Sequence, residues 1–333
     1  MKKILVLYGG NSYEHDISCI SVQNVCKCLK DLRLSFDKVY ISRENKWFLV
    51  QDDGKSELLN IVDFLKKYAI VFPVLHGSFG EDGRIQAFFE LFGINYLGSN
   101  SLSSAIAMNK YLTKLVIEKT GIQQIPYFVL NKNDTTPENV EFPVIIKPLN
   151  GGSSIGISIA HSNSELKKSL KEGFKYDQNV IVEKFINGID LECGIVELNK
   201  LIVGDVGEIR HSHEFYDYDA KYNEDSKIII PAEIDKHLRE EIQEYALKIF
   251  KALNLKDFAR IDFILDKKTG TIYFNEVNTI PGFTEKSMFP ILFQNKKLDF
   301  TKIIDKLIKK SHVKWLFIVQ QNKEYQQFYD YYS

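Results

Sequence analysis

The stretch Arg260-Ile-Asp262-Phe-Ile-Leu-Asp266-Lys-Lys-Thr-Gly270-Thr-Ile-Tyr-Phe-Asn275-Glu276-Val-Asn278 reads as a β-hairpin. Two β-rich runs flank Lys268-Thr269-Gly270, and a three-residue loop ending in glycine suits a type I turn closed by a left-handed residue. That register pairs Lys267 with Thr271, so Asp262 faces Glu276 and Arg260 faces Asn278. Strand alternation then sends all four to one face. Opposed carboxylates repel unless a cation lies between them, and two carboxylates with one amide form an oxygen set suited to a hard divalent ion. A solvated polar strand face accounts for the same pattern, so the flanking chain has to decide.

Upstream, an apolar strand Val144-Ile-Ile-Lys147-Pro148 runs into Gly151-Gly152-Ser153-Ser154-Ile155-Gly156. Free amides of such a loop can cradle phosphate oxygens beside a fixed ammonium, although lysine precedes the glycines and the pattern is not a Walker loop. A flexible hairpin turn is the plain alternative. The buried run Asn179-Val-Ile-Val-Glu183-Lys184-Phe185-Ile186 ends in an acid and a base, suiting either a nucleobase slot or an edge-strand ion pair. Between it and the hairpin lie strands over 190–197 and 201–209. The segment Glu214-Phe-Tyr216-Asp-Tyr218-Asp-Ala-Lys221-Tyr222 has no clean period, and reads as an ordered loop able to cover a site or as surface tyrosines. A helix over 236–253 with Leu238, Ile242, Tyr245, Ala246 and Ile249 at core spacing is structural.

The N-terminal part alternates strands and helices. Residues 3–8 form a buried strand, Gly9-Gly10-Asn11-Ser12 a turn and 14–30 a helix, with further strands at 36–41, 47–50 and 69–75. That order predicts an open α/β sheet whose ligands collect beyond the strand carboxyl ends. The glycine turn lacks the dinucleotide fingerprint, which argues against a nicotinamide cofactor. Glu14, His15 and Asp16 lie at its mouth, where helix capping explains acids as well as function does. His76 ends a strand and opens the glycine-rich stretch to Gly83, either as a structural histidine or beside a ligand. Pro281-Gly282, after the hairpin, can bring a backbone amide close to a reacting centre.

At 333 residues the chain holds two or three domains. Its formal net charge of -1 gives no argument for nucleic acid. The longest apolar run, Tyr68 to Leu75, is too short for a bilayer, and the N-terminus lacks a secretory pattern, so a cytoplasmic protein off the membrane is expected. The four cysteines show neither a disulfide framework nor zinc-site spacing.

Ten segments in one order resemble the D-alanine-D-alanine ligases of the ATP-grasp superfamily: Gly9-Gly10-Asn-Ser-Tyr-Glu14-His15, Leu75-His76-Gly77, Met108-Asn-Lys110, Ile146-Lys147-Pro148, Gly152-Ser153-Ser154-Ile-Gly156, Glu183-Lys184, Tyr216 to Tyr222, Arg260-Ile-Asp262, Glu276-Val-Asn278 and Pro281-Gly282-Phe-Thr. The resemblance covers about residues 3–312. Asp190 stands where the family places a ribose-binding glutamate, and Ala259 where glycine is usual.

The resemblance implies an α/β and α+β multidomain chain: an ATP-grasp fold preceded by an open parallel α/β sheet. The expected division is an N-terminal domain over 1–103, a central lid over 104–188, a C-terminal domain over 189–312 and a tail of unknown role over 313–333. It implies ligation of two D-alanines with ATP through an acyl phosphate, for peptidoglycan precursors, and a homodimer. The metal set would be Asp262, Glu276 and Asn278, holding Mg²⁺, commonly two ions, or Mn²⁺. ATP would meet Lys110, Lys147, Ser153 and Lys221 at its phosphates, Glu183, Lys184, Phe185, Ile186 and Ile264 at its base, and Asp190 at its ribose. Glu14 and His76 would take the first D-alanine, Arg260 and the Gly282 amide the oxyanion, and Ser287 with Met288 the second substrate. Glu14, Ser154 and Tyr222 would form a hydrogen-bonded group ordering the loop. A D-lactate-using ligase, another ATP-grasp carboxylate-amine ligase, a phosphotransferase and a non-catalytic nucleotide-binding module are the alternatives. The loop tyrosine favours an amine nucleophile, a pocket for two substrates around Arg260 and Ser287 would be superfluous in a phosphotransferase, and the acid, amide and arginine set argues against a non-catalytic module.

Overall fold

The apolar runs over 4–9 and 70–74 pack side by side, each buried along nearly its whole length. In the computed structural model, which describes residues 3–137, 139–210 and 227–311, β1 (Ile4–Gly9) pairs in parallel with β2 (Phe36–Ile41) and β5 (Ile70–Val74). β3 (Trp47–Gln51) and β4 (Gly54–Glu57) extend that sheet as an antiparallel edge, giving the order β4-β3-β2-β1-β5. The expected parallel sheet is therefore mixed. A short connection from β2 to β3 permits only antiparallel return, whereas parallel neighbours need a crossover helix. That helix, His15–Asp31, buries Val22, Val25 and Leu29 against the sheet.

Two antiparallel sheets follow. β6 (Tyr127–Asn131), β7 (Val144–Pro148), β8 (Ser158–Ala160) and β9 (Asn179–Lys184) form a central sheet ordered β6-β9-β7-β8. β10 (Gly188–Glu197), β11 (Leu201–Arg210), β12 (Lys227–Ile229), β13 (Phe258–Asp266) and β14 (Ile272–Asn278) form the third sheet, ordered β12-β11-β10-β13-β14. The helix Lys236–Ala252 covers it, with Ile242, Ala246, Ile249 and Phe250 buried. Ala107, Ile117 and Ile122 belong to that same core cluster. The segment expected to open the central domain therefore lends its apolar side to the C-terminal one. A last helix over 300–311 packs Ile303, Ile304 and Leu307 with β1 and with Phe258, Phe283 and Phe289, so N- and C-terminal sheets share a core.

β13 and β14 are the opening hairpin. Arg260 pairs with Asn278 and Asp262 with Glu276, as the spacing predicts. Near the turn, however, Asp266 pairs with Thr271 rather than Lys267, through Asp266 N to Thr271 O (3.0 Å) and Gly270 N to Asp266 O (2.9 Å). The loop is one residue longer than read because the Asp266 carboxylate accepts the Lys268 (2.7 Å) and Thr269 (3.3 Å) amides and closes the turn itself. A β-bulge at Asn275, between the Phe263–Phe274 and Asp262–Glu276 pairs, takes the extra residue back.

Candidate active site

The hairpin face is built from side chains that hold one another. The Arg260 guanidinium forks onto Asp262 (2.8 and 2.7 Å) and also reaches Glu192 on β10 at 2.9 Å. Asn278 Nδ2 donates to Asp262 at 2.9 Å. Burial works against the arginine's charge, but Asp262 and Glu192 outweigh it and raise its pKa well above the ordinary value. Arg260, Asp262 and Asn278 thus share one side of the hairpin, as alternation requires, with Glu276 opposite Asp262.

A cavity of about 660 Å³ opens between the central and third sheets. Lys110, Lys147, Ser153 and Ser154 form one end, Lys184, Phe185, Ile186, Asp190 and Ile264 another, and Arg260, Asp262 and Glu276 the floor. Glu183 is not among its lining residues. Its carboxylate is buried behind the wall, 2.7 Å from both Lys114 and Lys147. Burial disfavours its charge, yet Lys147 and Lys114 hold its pKa down at about 2. Contact between Glu183 and a base would have to compete with two lysines, whereas Lys184 to Ile186 face the space directly. Lys147 also donates to Asn275 Oδ1 (3.1 Å), the bulged residue of β14.

A second cavity, about 1180 Å³, lies between the helix His15–Asp31 and the turn after β14, lined by Glu14, His76, Asn278, Gly282, Ser287 and Met288 among others. Arg260 and Glu192 line both cavities. A narrow space of about 30 Å³ beside Glu14, Lys110, Ser153, Glu276 and Asn278 lies where the two sides approach.

Backbone geometry brings Glu14 there. Gly77 has φ +72°, and a Cβ on it would lie inside van der Waals contact of Glu14 Oε2, so only glycine lets the carboxylate approach. Ser153 donates to Glu14 Oε1. Ser153, expected at the phosphates, thus also engages Glu14, next to Ser154, which was expected in that group. Both have positive φ, 52° and 57°, so the chain turns sharply there, and Ser153 is buried. Lys221 and Tyr222 lie outside the described residues.

His76 is held at both ring nitrogens. Nδ1 donates to Ile280 O (2.9 Å), which can only accept, and Nε2 lies 2.9 Å from Ser21 Oγ. Ser21 in turn accepts the Phe283 amide at 3.4 Å. His76 thus braces the Ile280–Phe283 turn that presents Gly282, while also lining the second cavity, where a substrate contact is expected of it. Ser287 Oγ accepts the Thr284 amide (3.1 Å) and lies 2.7 Å from the Thr284 hydroxyl.

Glu81, Lys114, Glu192 and Asn275 complete the site without having been singled out. Glu81 is buried and accepts from Gly77 N (3.0 Å), Ile280 N (2.9 Å) and Thr279 Oγ1 (3.4 Å), tying the two turns together. Burial and the nearby Glu14 carboxylate push its pKa up to about 8. Its place in the run from His76 to Gly83 was a usable signal. Lys114, four residues after Lys110 on the helix Lys110–Glu118, was a weaker one.

A nucleotide-sized cavity between two antiparallel sheets, joined at one arginine to a second cavity that carries acid, amide and hydroxyl groups, suits an ATP-dependent ligase of the ATP-grasp class, which is what the chain is. Family descriptions agree: "D-ala D-ala ligase C-terminus" matches residues 116–309, and "D-ala D-ala ligase N-terminus" matches 3–60 and 51–99. The D-alanine-D-alanine ligase B of Clostridium tetani is 40% identical, with 92% of each chain covered. The D-alanine-D-alanine ligase of Acetivibrio thermocellus is 37% identical over 92% of this chain and 95% of its own. Among solved structures, the VanG D-Ala:D-Ser ligase of Enterococcus faecalis superposes with a TM-score of 0.83 at 34% identity, covering 93% of this chain and 99% of that one. The D-alanine-D-alanine ligase of Coxiella burnetii gives 0.82 at 26% identity, covering 99% and 100%. The chain belongs to the D-alanine-D-alanine ligase family.

Proposed function

We propose that the chain joins two D-alanines, with ATP converted to ADP and phosphate, to supply D-alanyl-D-alanine for peptidoglycan precursors. The observation that carries this is the meeting of two cavities at Arg260: one sized for a nucleotide, the other lined by acid, amide and hydroxyl groups suited to amino acids. Two D-alanines are zwitterions, so the site needs anionic and cationic groups on both sides of the reacting carbon, and Glu14 and Arg260 supply them.

Lys110 and Lys147 hold the phosphates, with Ser153 and neighbouring amides closing over them. Lys184, Phe185, Ile186 and Ile264 enclose the base, Glu183 supports that slot from behind, and Asp190 meets the ribose. Glu14 binds the ammonium of the first D-alanine. That substrate's carboxylate oxygen attacks the γ-phosphorus, the bond to ADP breaks, and an acyl phosphate forms. The amine of the second D-alanine attacks the acyl carbon, loses a proton, and phosphate departs. Arg260 and the Gly282 amide stabilise the oxyanion of that step, which requires the guanidinium to share itself between Asp262 and substrate. Ser287, beside the buried Met288, holds the second carboxylate. Exclusion of water protects the acyl phosphate from hydrolysis.

Among the described residues no three His, Cys, Asp or Glu side chains are grouped to hold a metal ion. Asp262 opposite Glu276, with the Asn278 amide on Asp262, instead offers a partial set of hard oxygen donors, which fits an ion completing its shell with phosphate oxygens. Mg²⁺ there, as one or two ions, or Mn²⁺ in its place, would neutralise phosphate charge. A homodimer in the cytoplasm completes the proposal. Among the described residues no helix is long and apolar enough to cross a membrane, and gel filtration tests the dimer.

The deciding assay is phosphate release from ATP and Mg²⁺ with and without D-alanine, with the product mass recorded in the presence of D-lactate or D-serine. Dipeptide of D-alanine should dominate at neutral pH. No D-alanine-dependent release refutes a ligase, and a mainly ester or mixed product refutes the substrate assignment.

A further inference from the structure

We propose that Lys114 is a positioning residue for the nucleotide, acting through Glu183 to hold the Lys147 ammonium aimed at the phosphate end of the first cavity and to leave net positive charge on that wall. The proposal rests on the ligase reading only in taking Lys147 as a phosphate ligand.

Lys114 leaves the helix Lys110–Glu118 on the same side as Lys110, since residues four apart on a helix are neighbours. The two ammoniums then part. Lys110 Nζ donates to Gly151 O at 2.7 Å and lines the first cavity. Lys114, 1% exposed, turns behind the central sheet, where its Nζ is 2.7 Å from Glu183 Oε1 and 5.0 Å from the centre of the Tyr127 ring. Glu183 Oε2 is 2.7 Å from Lys147 Nζ, which also reaches Asn275 Oδ1 at 3.1 Å. The path from Lys114 to the cavity therefore passes through one carboxylate to one ammonium.

The charge count gives that path a purpose. Glu183 and Lys147 alone would cancel, leaving Lys110 to offset the charge of a bound polyanion at that end. The second buried lysine leaves one positive charge over the three groups, and because Glu183 answers to two cations it holds neither with its full charge. Packing does not ask for a lysine here. Burying an ammonium costs several kcal/mol, so an apolar side chain of the same length would fill the space more cheaply. Burial lowers the pKa of Lys114, opposed by Glu183, whereas for Lys147 the carboxylates of Glu183 and Glu276 outweigh burial and raise it. Glu183 lies on the inner strand β9, paired with Ile145 of β7 and Tyr127 of β6, so its backbone is held on both sides.

The test is calorimetric binding of ATP with Mg²⁺, together with steady-state KM values, for Lys114→Met, Lys114→Gln and Lys114→Arg. Loss of one charge-assisted contact predicts ATP binding weaker by roughly tenfold for the Met and Gln variants, with kcat and the D-alanine KM within about threefold. Lys114→Arg keeps the cation and should recover most of the affinity. In a Glu183→Gln background, Lys114→Met should add less than about threefold, because its route to Lys147 is gone. The polar Gln variant serves as the test if the Met variant fails to fold, with circular dichroism and thermal unfolding as the check. A folded Lys114→Gln or Lys114→Met protein with ATP affinity within twofold of wild type overturns the proposal. So does an equal loss in the D-alanine KM, failure of Lys114→Arg to recover affinity, or a full tenfold loss added to Glu183→Gln. Wild-type protein that binds ATP but forms no dipeptide would defeat the ligase reading, while the binding data would still decide the role of Lys114.

Discussion

Replacing Gly77 by alanine separates a backbone cost from a functional one. Gly77 has φ +72°, and an added Cβ would press on Glu14 Oε2 and come to 3.4 Å from Ser12 Oγ. Holding a non-glycine residue in the left-handed region costs about 1–2 kcal/mol. Gly93, with φ +63° and nothing within 4 Å of an added Cβ, carries the same backbone cost and no clash. Because the atom struck at Gly77 is the end of a flexible side chain, Glu14 can swing aside, so the two variants should be destabilised alike. Function should separate them. A displaced Glu14 loses a charge-assisted bond to the first D-alanine, worth about 1.5–3 kcal/mol, or roughly tenfold to a hundredfold in KM. Thermal unfolding and phosphate release at varied D-alanine read the two terms, with ATP binding by calorimetry as the control. Gly77→Ala should raise the D-alanine KM with ATP affinity kept, and Gly93→Ala should leave both unchanged. Equal D-alanine KM values in the two variants would refute the placement of Glu14 on the substrate ammonium.

Glu276→Gln should abolish turnover with an unchanged circular dichroism spectrum, since the residue is partly exposed at the open end of the hairpin; near-normal activity would remove it from the metal set. Glu81, with its pKa raised to about 8, binds more protons folded than unfolded, so its contribution makes stability fall as pH rises from the ordinary carboxylate range towards 8, by at most about 1.4 kcal/mol per unit. Glu81→Gln should flatten that slope in thermal unfolding between pH 5 and 8, and an unchanged slope would exclude it as the source. An ammonium bound beside Glu14 favours ionised Glu81, so the wild-type D-alanine KM should fall as pH climbs from 6 to 8, and a flat profile would count against that coupling.

Much of the site was legible because its chemistry needs residue types that stand out against their surroundings. Lys147 interrupts an apolar strand before glycines, and Arg260, Asp262, Glu276 and Asn278 interrupt two others. These line the cavities. Less visible were groups whose importance comes from neighbours distant in the chain. Glu81 matters because Ile280 and Thr279 donate to it, and Lys114 because Glu183 lies across a sheet from its helix. His76 was noticed, but its role depends on Ser21 and Ile280, which occupy both ring nitrogens. The bond from Ser153 to Glu14 likewise joins segments more than a hundred residues apart, for which the sequence gives no local sign.

By itself the sequence determined the order of the longer apolar strands and amphipathic helices, though not β4, β6, β8 or β12, the alternation that gathers four polar groups on one hairpin face, and the glycine positions that let backbone approach a ligand. These follow from local rules of period and sterics, which act over a few residues. Tertiary structure decided the rest. The hairpin turn is a residue longer than its sequence suggests because Asp266 closes it, and the Asn275 bulge restores the pairing of Asp262 with Glu276 while aiming Asn275 at Lys147. It also decided that Glu183 is clasped by two lysines behind the cavity wall, and that Arg260 stands where the cavities meet. Burial and charge pairing depend on which surfaces close over a group, and those surfaces come from segments more than a hundred residues apart, such as Lys147 and Asn275.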